Sequence, residues 1–158
     1  MVMKNLKIMS KNSLKMLSML LLFTSAVAFS QTAKVIEMKG TDQMRFSVET
    51  IQASPGQKIT VKLSNDSKFP AVAMAHNFVL LKQSADSKAV NLASSKQRDN
   101  DYIAPEMKDQ IIAHTGLAAG GQTVEVTFNA PKKPGKYTYI CTFPGHFQSG
   151  MIGTLIVK

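Results

Sequence analysis

Lys58-Ile59-Thr60-Val61-Lys62-Leu63 is the stretch that decides the fold. Apolar and polar residues alternate strictly, so Ile59, Val61 and Leu63 fall on one face of an extended chain and Lys58, Thr60 and Lys62 on the other. Successive side chains of a strand point to opposite sides, whereas a helix would scatter the same three apolar residues around its circumference. Thr123-Val124-Glu125-Val126-Thr127-Phe128 repeats the pattern. Working outward, residues 35–38, 45–49, 77–82, 110–114, 136–141 and 153–157 are further strand candidates. Turn-forming clusters separate them: Lys39-Gly40-Thr41, Ser54-Pro55-Gly56, Ser64-Asn65-Asp66-Ser67, Gly120-Gly121 and the stretch from Pro131 to Gly135. Short strands with frequent turns predict an all-β Greek-key β-sandwich. Residues 83–109 break the pattern. Ala89, Val90, Leu92 and Ala93 recur at roughly helical spacing, which predicts a short helix near residues 87–95, followed by a loop through Asp99-Asn100-Asp101. This is an excursion from the sandwich rather than a second domain.

The chain has 158 residues, of which 44% are hydrophobic and 18% charged, enough for one domain with a core. A single Cys excludes an internal disulfide framework, a Cys-cluster zinc site and a four-Cys iron–sulfur site. Residues 1–30 read as a signal peptide. Lys4, Lys7, Lys11 and Lys15 come before any acidic residue, Met16 to Phe29 runs apolar and small, and Ala28 and Ser30 are the small residues before a cut at Gln31. The alternative, an uncleaved anchor, needs about 20 apolar residues, more than this run supplies. The expected organisation is a leader over 1–30 and one domain over 31–158, exported to a periplasm or beyond it, with no lasting membrane anchor.

That division changes the charge argument. The formal net charge of +9 points to nucleic acid at first sight, but the leader holds four Lys and no acid, leaving +5 on the remaining 128 residues. The other lysines are scattered and form no basic run with interleaved aromatics, so nucleic acid is not an expected partner. Export also makes Cys141 a free thiol, an intermolecular bridge or a metal ligand, since it has no partner in its own chain.

The strongest chemical signal lies near the C-terminus. Tyr137-Thr138-Tyr139-Ile140 runs into Cys141, followed by Thr142-Phe143-Pro144-Gly145-His146, then Met151 and a final strand. A thiolate, an imidazole and a thioether on one tight loop are soft and borderline donors that suit copper. Pro144 and Gly145 bend the chain so that Cys141 and His146 converge. A blue-copper site needs a second imidazole, and His76, in Met74-Ala75-His76-Asn77-Phe78, supplies it. His114 is the competitor; it lies in Ile111-Ile112-Ala113-His114-Thr115 without ligand-like neighbours and reads as a structural or surface residue. Asn77 is placed to tie the His76 strand to the Cys141 loop through its amide and its backbone N–H. Phe143 and Pro144 are placed to keep water from the metal, and Ala73, Ala75, Phe143, Pro144 and Phe147 form an apolar surround for His146.

From Asp42-Gln43-Met44 with Phe46, through Ala75-His76-Asn77-Phe78-Val79-Leu80 and Ile112-Ala113-His114-Thr115, to Cys141-Thr142-Phe143-Pro144-Gly145-His146 and Gly153-Thr154-Leu155, residues 33–158 resemble the azurins, blue-copper proteins of the cupredoxin fold. The resemblance implies a cupredoxin-like sandwich holding one Cu(I)/Cu(II) ion per chain. It implies His76, Cys141 and His146 as equatorial ligands and Met151 as the weak axial ligand. The Ala75 carbonyl takes the place of a glycine carbonyl on the opposite axial side, in weak contact or none. The chain departs from azurins in lacking their disulfide and Trp. Its four residues between His146 and Met151, one more than in azurins, resemble the auracyanin loop and make Gln148 a competitor for the axial position.

The resemblance implies an electron carrier rather than an enzyme: a periplasmic monomer passing single electrons between redox proteins such as c-type cytochromes or copper and haem oxidoreductases. Two other readings remain. A copper-trafficking protein of the cell envelope would favour Met-rich or His-rich tails. Here Met38, Met44, Met74, Met107 and Met151 form no cluster. A hydrolase with Cys141 as nucleophile and His146 as base would need an oxyanion hole and a substrate cleft.

Overall fold

Ile59, Val61 and Leu63 are fully buried and Lys58 is exposed, as their alternation requires. They belong to β3 (Lys58–Asn65), the centre of a three-stranded sheet with β1 (Lys34–Gly40) and β6 (Thr123–Asn129). The computed structural model describes residues 33–158, so the expected leader lies outside the described residues. β3 runs parallel to β1 and antiparallel to β6, with Val61 opposite Val126 and Leu63 opposite Val124. A slip of one residue would turn all three buried side chains of β3 to solvent. Each contributes about 1.5–3 kcal/mol by leaving water, so the register is strongly fixed.

The second sheet has five strands in the order β2 (Thr50–Ala53), β8 (Ile152–Val157), β7 (Gly135–Ile140), β4 (Val79–Leu81) and β5 (Ile111–His114). β2 is parallel to β8, and the other pairs are antiparallel. The two sheets close over one core, and the predicted all-β sandwich is what the chain forms. Its aromatic centre is Phe78, Tyr139, Phe46 and Phe128, with the Phe78 and Tyr139 rings 4.9 Å apart.

The helical excursion also forms, as α1 (Ser87–Ser94), capped by the Asp86 carboxylate, which accepts from the backbone N–H of Lys88 and Ala89. Val90 of α1 packs with Val79, Leu81, Ile103 and Ile140 in a second, smaller cluster. Among the described residues no helix is long and apolar enough to cross a membrane.

Two expectations need correction. Residues 45–49 are not a ladder strand: Phe46 makes a single bridge to Gly40 after a tight turn, and pairing resumes only at Thr50, opposite Thr154 of β8. The turn puts Met44 in the left-handed region, φ 55°, which breaks the extended run. The loop expected after α1 contains two 3-10 segments, Arg98–Asn100 and Pro105–Gln110. For the site, the arrangement that matters is that β7 and β8 are antiparallel neighbours, with residues 141–151 closing their end beside the start of β4.

Candidate metal centre

Cys141 leaves the end of β7 with its N–H donating to the Met151 carbonyl at 3.2 Å. The intervening loop folds on itself: His146 N–H donates to Phe143 O at 3.1 Å, Ser149 N–H to Gly145 O at 3.0 Å, and Met151 N–H to His146 O at 3.0 Å. Gly145 takes φ +84° at the bend that Pro144 and Gly145 were expected to make.

His76 arrives from the opposite side. It exchanges backbone hydrogen bonds with Ala118, at 3.1 and 2.8 Å. The buried Asn65 side chain braces the same segment, donating to Ala118 O at 3.0 Å and Met74 O at 3.3 Å. Gly40 lies directly against the imidazole: a Cβ there would come within 2.4 Å of His76 Cδ2, so a side chain at 40 would displace the ring.

The three donors converge. His76 Nδ1 and His146 Nδ1 are 3.2 Å apart, Cys141 Sγ is 3.5 Å from His146 Nδ1, and one ligand atom from each residue lies within 4.8 Å of the others. All three residues are buried. Burial holds both imidazoles neutral, lowering each to a pKa of about 4; nearby Asp42 partly offsets this for His76, and His76 adds to it for His146. Burial also pushes the Cys141 thiol up to about 12, against the stabilising backbone N–H groups of Asn77 and Phe143.

This donor set fits a soft or borderline metal ion. Each neutral imidazole has one N–H and one lone pair, and His76 Nε2 is buried without a hydrogen-bond partner. A cation bound by the ring through Nδ1 fixes the tautomer, placing the proton on Nε2. A bound cation also supplies the charge that a buried thiolate otherwise lacks.

Of the remaining expected site residues, Met151 and Ala75 are fully buried and pack in the same core cluster as Cys141 and Phe143. Asn77 bridges to the loop through its side-chain amide, accepting from Thr142 N–H at 2.9 Å and donating to Thr142 Oγ1 at 2.8 Å. Phe143 is buried, its ring 4.7 Å from that of His146 and 5.1 Å from that of Tyr102. Pro144 is exposed, and the aromatic ring that packs on the imidazole is that of Phe143. Phe147 is not part of the His146 surround. It packs against the Val79 and Ile140 cluster, because the turn after His146 carries the next side chain to the other side of the sheet. His114 is exposed on β5, with Nδ1 3.1 Å from Thr115 O, and does not join the group.

The sequence reading missed Asn65, Thr142 and the close approach of Gly40. Asn65 and Gly40 stand in stretches that read as turns, and Thr142 had no pattern of its own. Outside the donors, Phe69 and Val72 are 55% and 71% exposed, and Val72 and Phe143 line one shallow cavity with Tyr102 and Leu117.

Comparison with known proteins agrees with this geometry. The model of copper binding proteins of the plastocyanin/azurin family matches residues 32–158. An azurin of Alcaligenes faecalis is 36% identical over 123 residues, covering 76% of this chain and 94% of that protein. Auracyanin-A of Chloroflexus aurantiacus is 38% identical over 120 residues, covering 74% of this chain and 69% of that protein. The solved structure of auracyanin A, described as a "blue" copper protein, superposes with a TM-score of 0.71 at 34% identity, covering 80% of this chain and all of that one. With eight strands in two sheets among the described residues and a buried His–Cys–His cluster of copper-type donors, the chain belongs to the plastocyanin/azurin family of copper-binding proteins.

Proposed function

We propose that this protein is an exported one-electron carrier in which His76, Cys141 and His146 are the equatorial ligands of a single copper ion and Met151 is the weak axial ligand. The observation that carries this reading is the convergence of two neutral imidazoles and one thiol in a buried cluster. Copper held there supplies a Cu(I)/Cu(II) couple. The chain's part is to fix one donor geometry that both oxidation states tolerate. The Asn77–Thr142 bonds lock the His76 segment to the Cys141 loop, and the backbone N–H groups of Asn77 and Phe143 favour the thiolate, against the effect of burial. The Phe143 ring keeps water from His146. The Ala75 carbonyl has at most a weak contact on the opposite axial side.

Electrons would leave through the His146 edge, which is 2% exposed and covered by Phe143. The exposed apolar side chain of Val72 beside Phe143 suits a small, weakly held and quickly exchanged interface with a redox protein, such as a c-type cytochrome. The basic, apolar leader supports a periplasmic location and a mature chain without an anchor. Copper trafficking is less well supported, because among the described residues Met38 and Met151 are buried, Met44, Met74 and Met107 are half-buried, and the five form no cluster in the sequence. Cys141 as a hydrolytic nucleophile is disfavoured by burial that keeps its thiol protonated.

The test is the visible spectrum after loading with Cu(II). An intense blue thiolate-to-copper band is expected in the wild type and absent in Cys141→Ser, whose hydroxyl is a far weaker copper donor. A colourless wild type, or a serine variant that kept the band, would sink the assignment.

A further inference from the structure

Arg45 joins the metal loop to a distant part of the chain. Its guanidinium donates to the carbonyl oxygen of Ser149, which is 104 residues away, and also to those of Met44 at 2.9 Å and Gln43 at 3.4 Å. Ser149 and Gly150 are the two residues before Met151. The guanidinium lies close along this backbone: a Cβ on Gly150 would be 3.3 Å from its central carbon.

The turn that presents Arg45 is itself closed, with Thr41 N–H donating to Arg45 O at 3.0 Å and Met44 N–H to Thr41 O at 2.9 Å. The bare backbone of Gly40, at the start of the same turn, lies against the His76 ring. One turn, residues 40–46, therefore bears on both sides of the donor cluster. Within this segment the hydrogen bonds of Ser149 and Gly150 are local to the loop, and Met151 is tied besides to Cys141 at the end of β7, so Arg45 is the contact that braces Ser149 from outside. All three bonds come from one terminal nitrogen, Nη1, which the planar guanidinium holds at a fixed angle, whereas an ammonium turns freely at the end of a flexible stem.

We propose that Arg45 is a positioning residue: it fixes the Ser149–Gly150 backbone and through it the placement of Met151 relative to the metal. The inference rests on the reading of Met151 as the axial ligand given above. It is not a charge effect, and Lys at position 45 separates the two.

The experiment compares wild type with Arg45→Ala and Arg45→Lys. In metal-free protein, amide hydrogen exchange is read at Gly150 and Met151 by NMR, with Val61 in β3 as the internal reference. In Cu(II)-loaded protein, the rhombicity of the electron paramagnetic resonance signal, the ratio of visible bands and the reduction potential are read. Both variants should exchange roughly tenfold faster at the loop amides and leave Val61 unchanged. Both should also shift the resonance signature and the potential. Arg45→Lys matching wild type would overturn the proposal, because charge alone would then suffice. So would unchanged loop exchange in Arg45→Ala, or faster exchange with unaltered copper signals. A wild type without a blue band would strike at the metal assignment instead, and the exchange rates would still decide whether Arg45 holds the loop.

Discussion

Asn77 and Thr142, 65 residues apart, are joined by two hydrogen bonds, one through each end of the Asn77 amide. Oδ1 accepts from the Thr142 N–H, so the amide cannot flip without facing donor to donor. The network continues outward. Asn77 Nδ2 also donates to Asp101 O at 2.9 Å, and the Thr142 hydroxyl donates to Tyr102 O at 2.6 Å. Asp101 and Tyr102 both have positive φ, 51° and 57°, a conformation that non-glycine residues adopt at a cost of about 1–2 kcal/mol each. The bonds to Asn77 and Thr142 hold that turn in place. Because Asn77 follows His76 and Thr142 follows Cys141, this one amide sets the distance between two of the three donors.

Asn77→Ala should therefore cost about 2–4 kcal/mol, since it leaves the buried Thr142 N–H and the Asp101 carbonyl without partners. Urea unfolding of the metal-free protein measures this directly. The thiolate-to-copper band of the loaded variant should broaden or shift, because the Cys141 sulfur is less firmly held. A loss below about 1 kcal/mol with an unchanged band would mean the amide is incidental.

His146→Gly should leave the sandwich folded and admit small ligands to the metal. The side chain is covered mainly by Phe143 and comes from a loop whose backbone bonds do not involve the imidazole. Added imidazole should restore the blue spectrum. His114→Ala should change it little, because His114 is exposed outside the cluster. If imidazole failed to restore colour, or His114→Ala abolished it, the choice of histidines would be wrong.

Acid should weaken the metal-free protein. His76 and His146 have folded-state pKa values lowered to about 4, against about 6.5 when unfolded. The unfolded chain thus binds more protons between those values, and stability falls as pH drops from about 6.5 towards 4. Below about 4 these two groups contribute no further loss. Thermal melting of metal-free protein at pH 7 and pH 4.5 checks the sign. A melting temperature equal at both would show that the imidazoles protonate without cost in the folded state.

The strands were legible where one face is apolar, as at Ile59, Val61, Leu63 and at Val124, Val126, Phe128, and the candidate donors stood out because Cys141, His146 and Met151 crowd one short loop. What was hidden depends on the third dimension. β2 has only four residues, and Ala53 gives its buried face little contrast. Residues 45–49 looked extended because nothing in Met44 announces a positive φ. Phe147 follows a donor in sequence, yet the turn sends it to the other side of the sheet. Gly40 and Arg45 act on the site across long separations, and no local pattern records a partner 104 residues away.

Met151 against Gln148 is the remaining choice of axial group. The loop has one residue more than in azurins, which on spacing alone lets either side chain compete. The two face different surroundings: Met151 is fully buried in the cluster with Ala75, Cys141 and Phe143, whereas Gln148 is exposed and lines a groove with Lys88, Leu92 and Ile152. A thioether donates weakly to Cu(II), so Met151→Leu removes electron density that favours the oxidised ion and leaves an apolar neighbour that disfavours its higher charge. Both effects raise the reduction potential. The trigonal donors remain, so the colour should persist, and Leu for Met conserves volume well enough that stability should change by less than about 1.5 kcal/mol. Gln148→Ala should leave the potential where it was. Redox titration of the two variants beside the wild type settles it: a rise confined to Gln148→Ala would make the amide oxygen the axial ligand and the burial of Met151 a matter of packing alone.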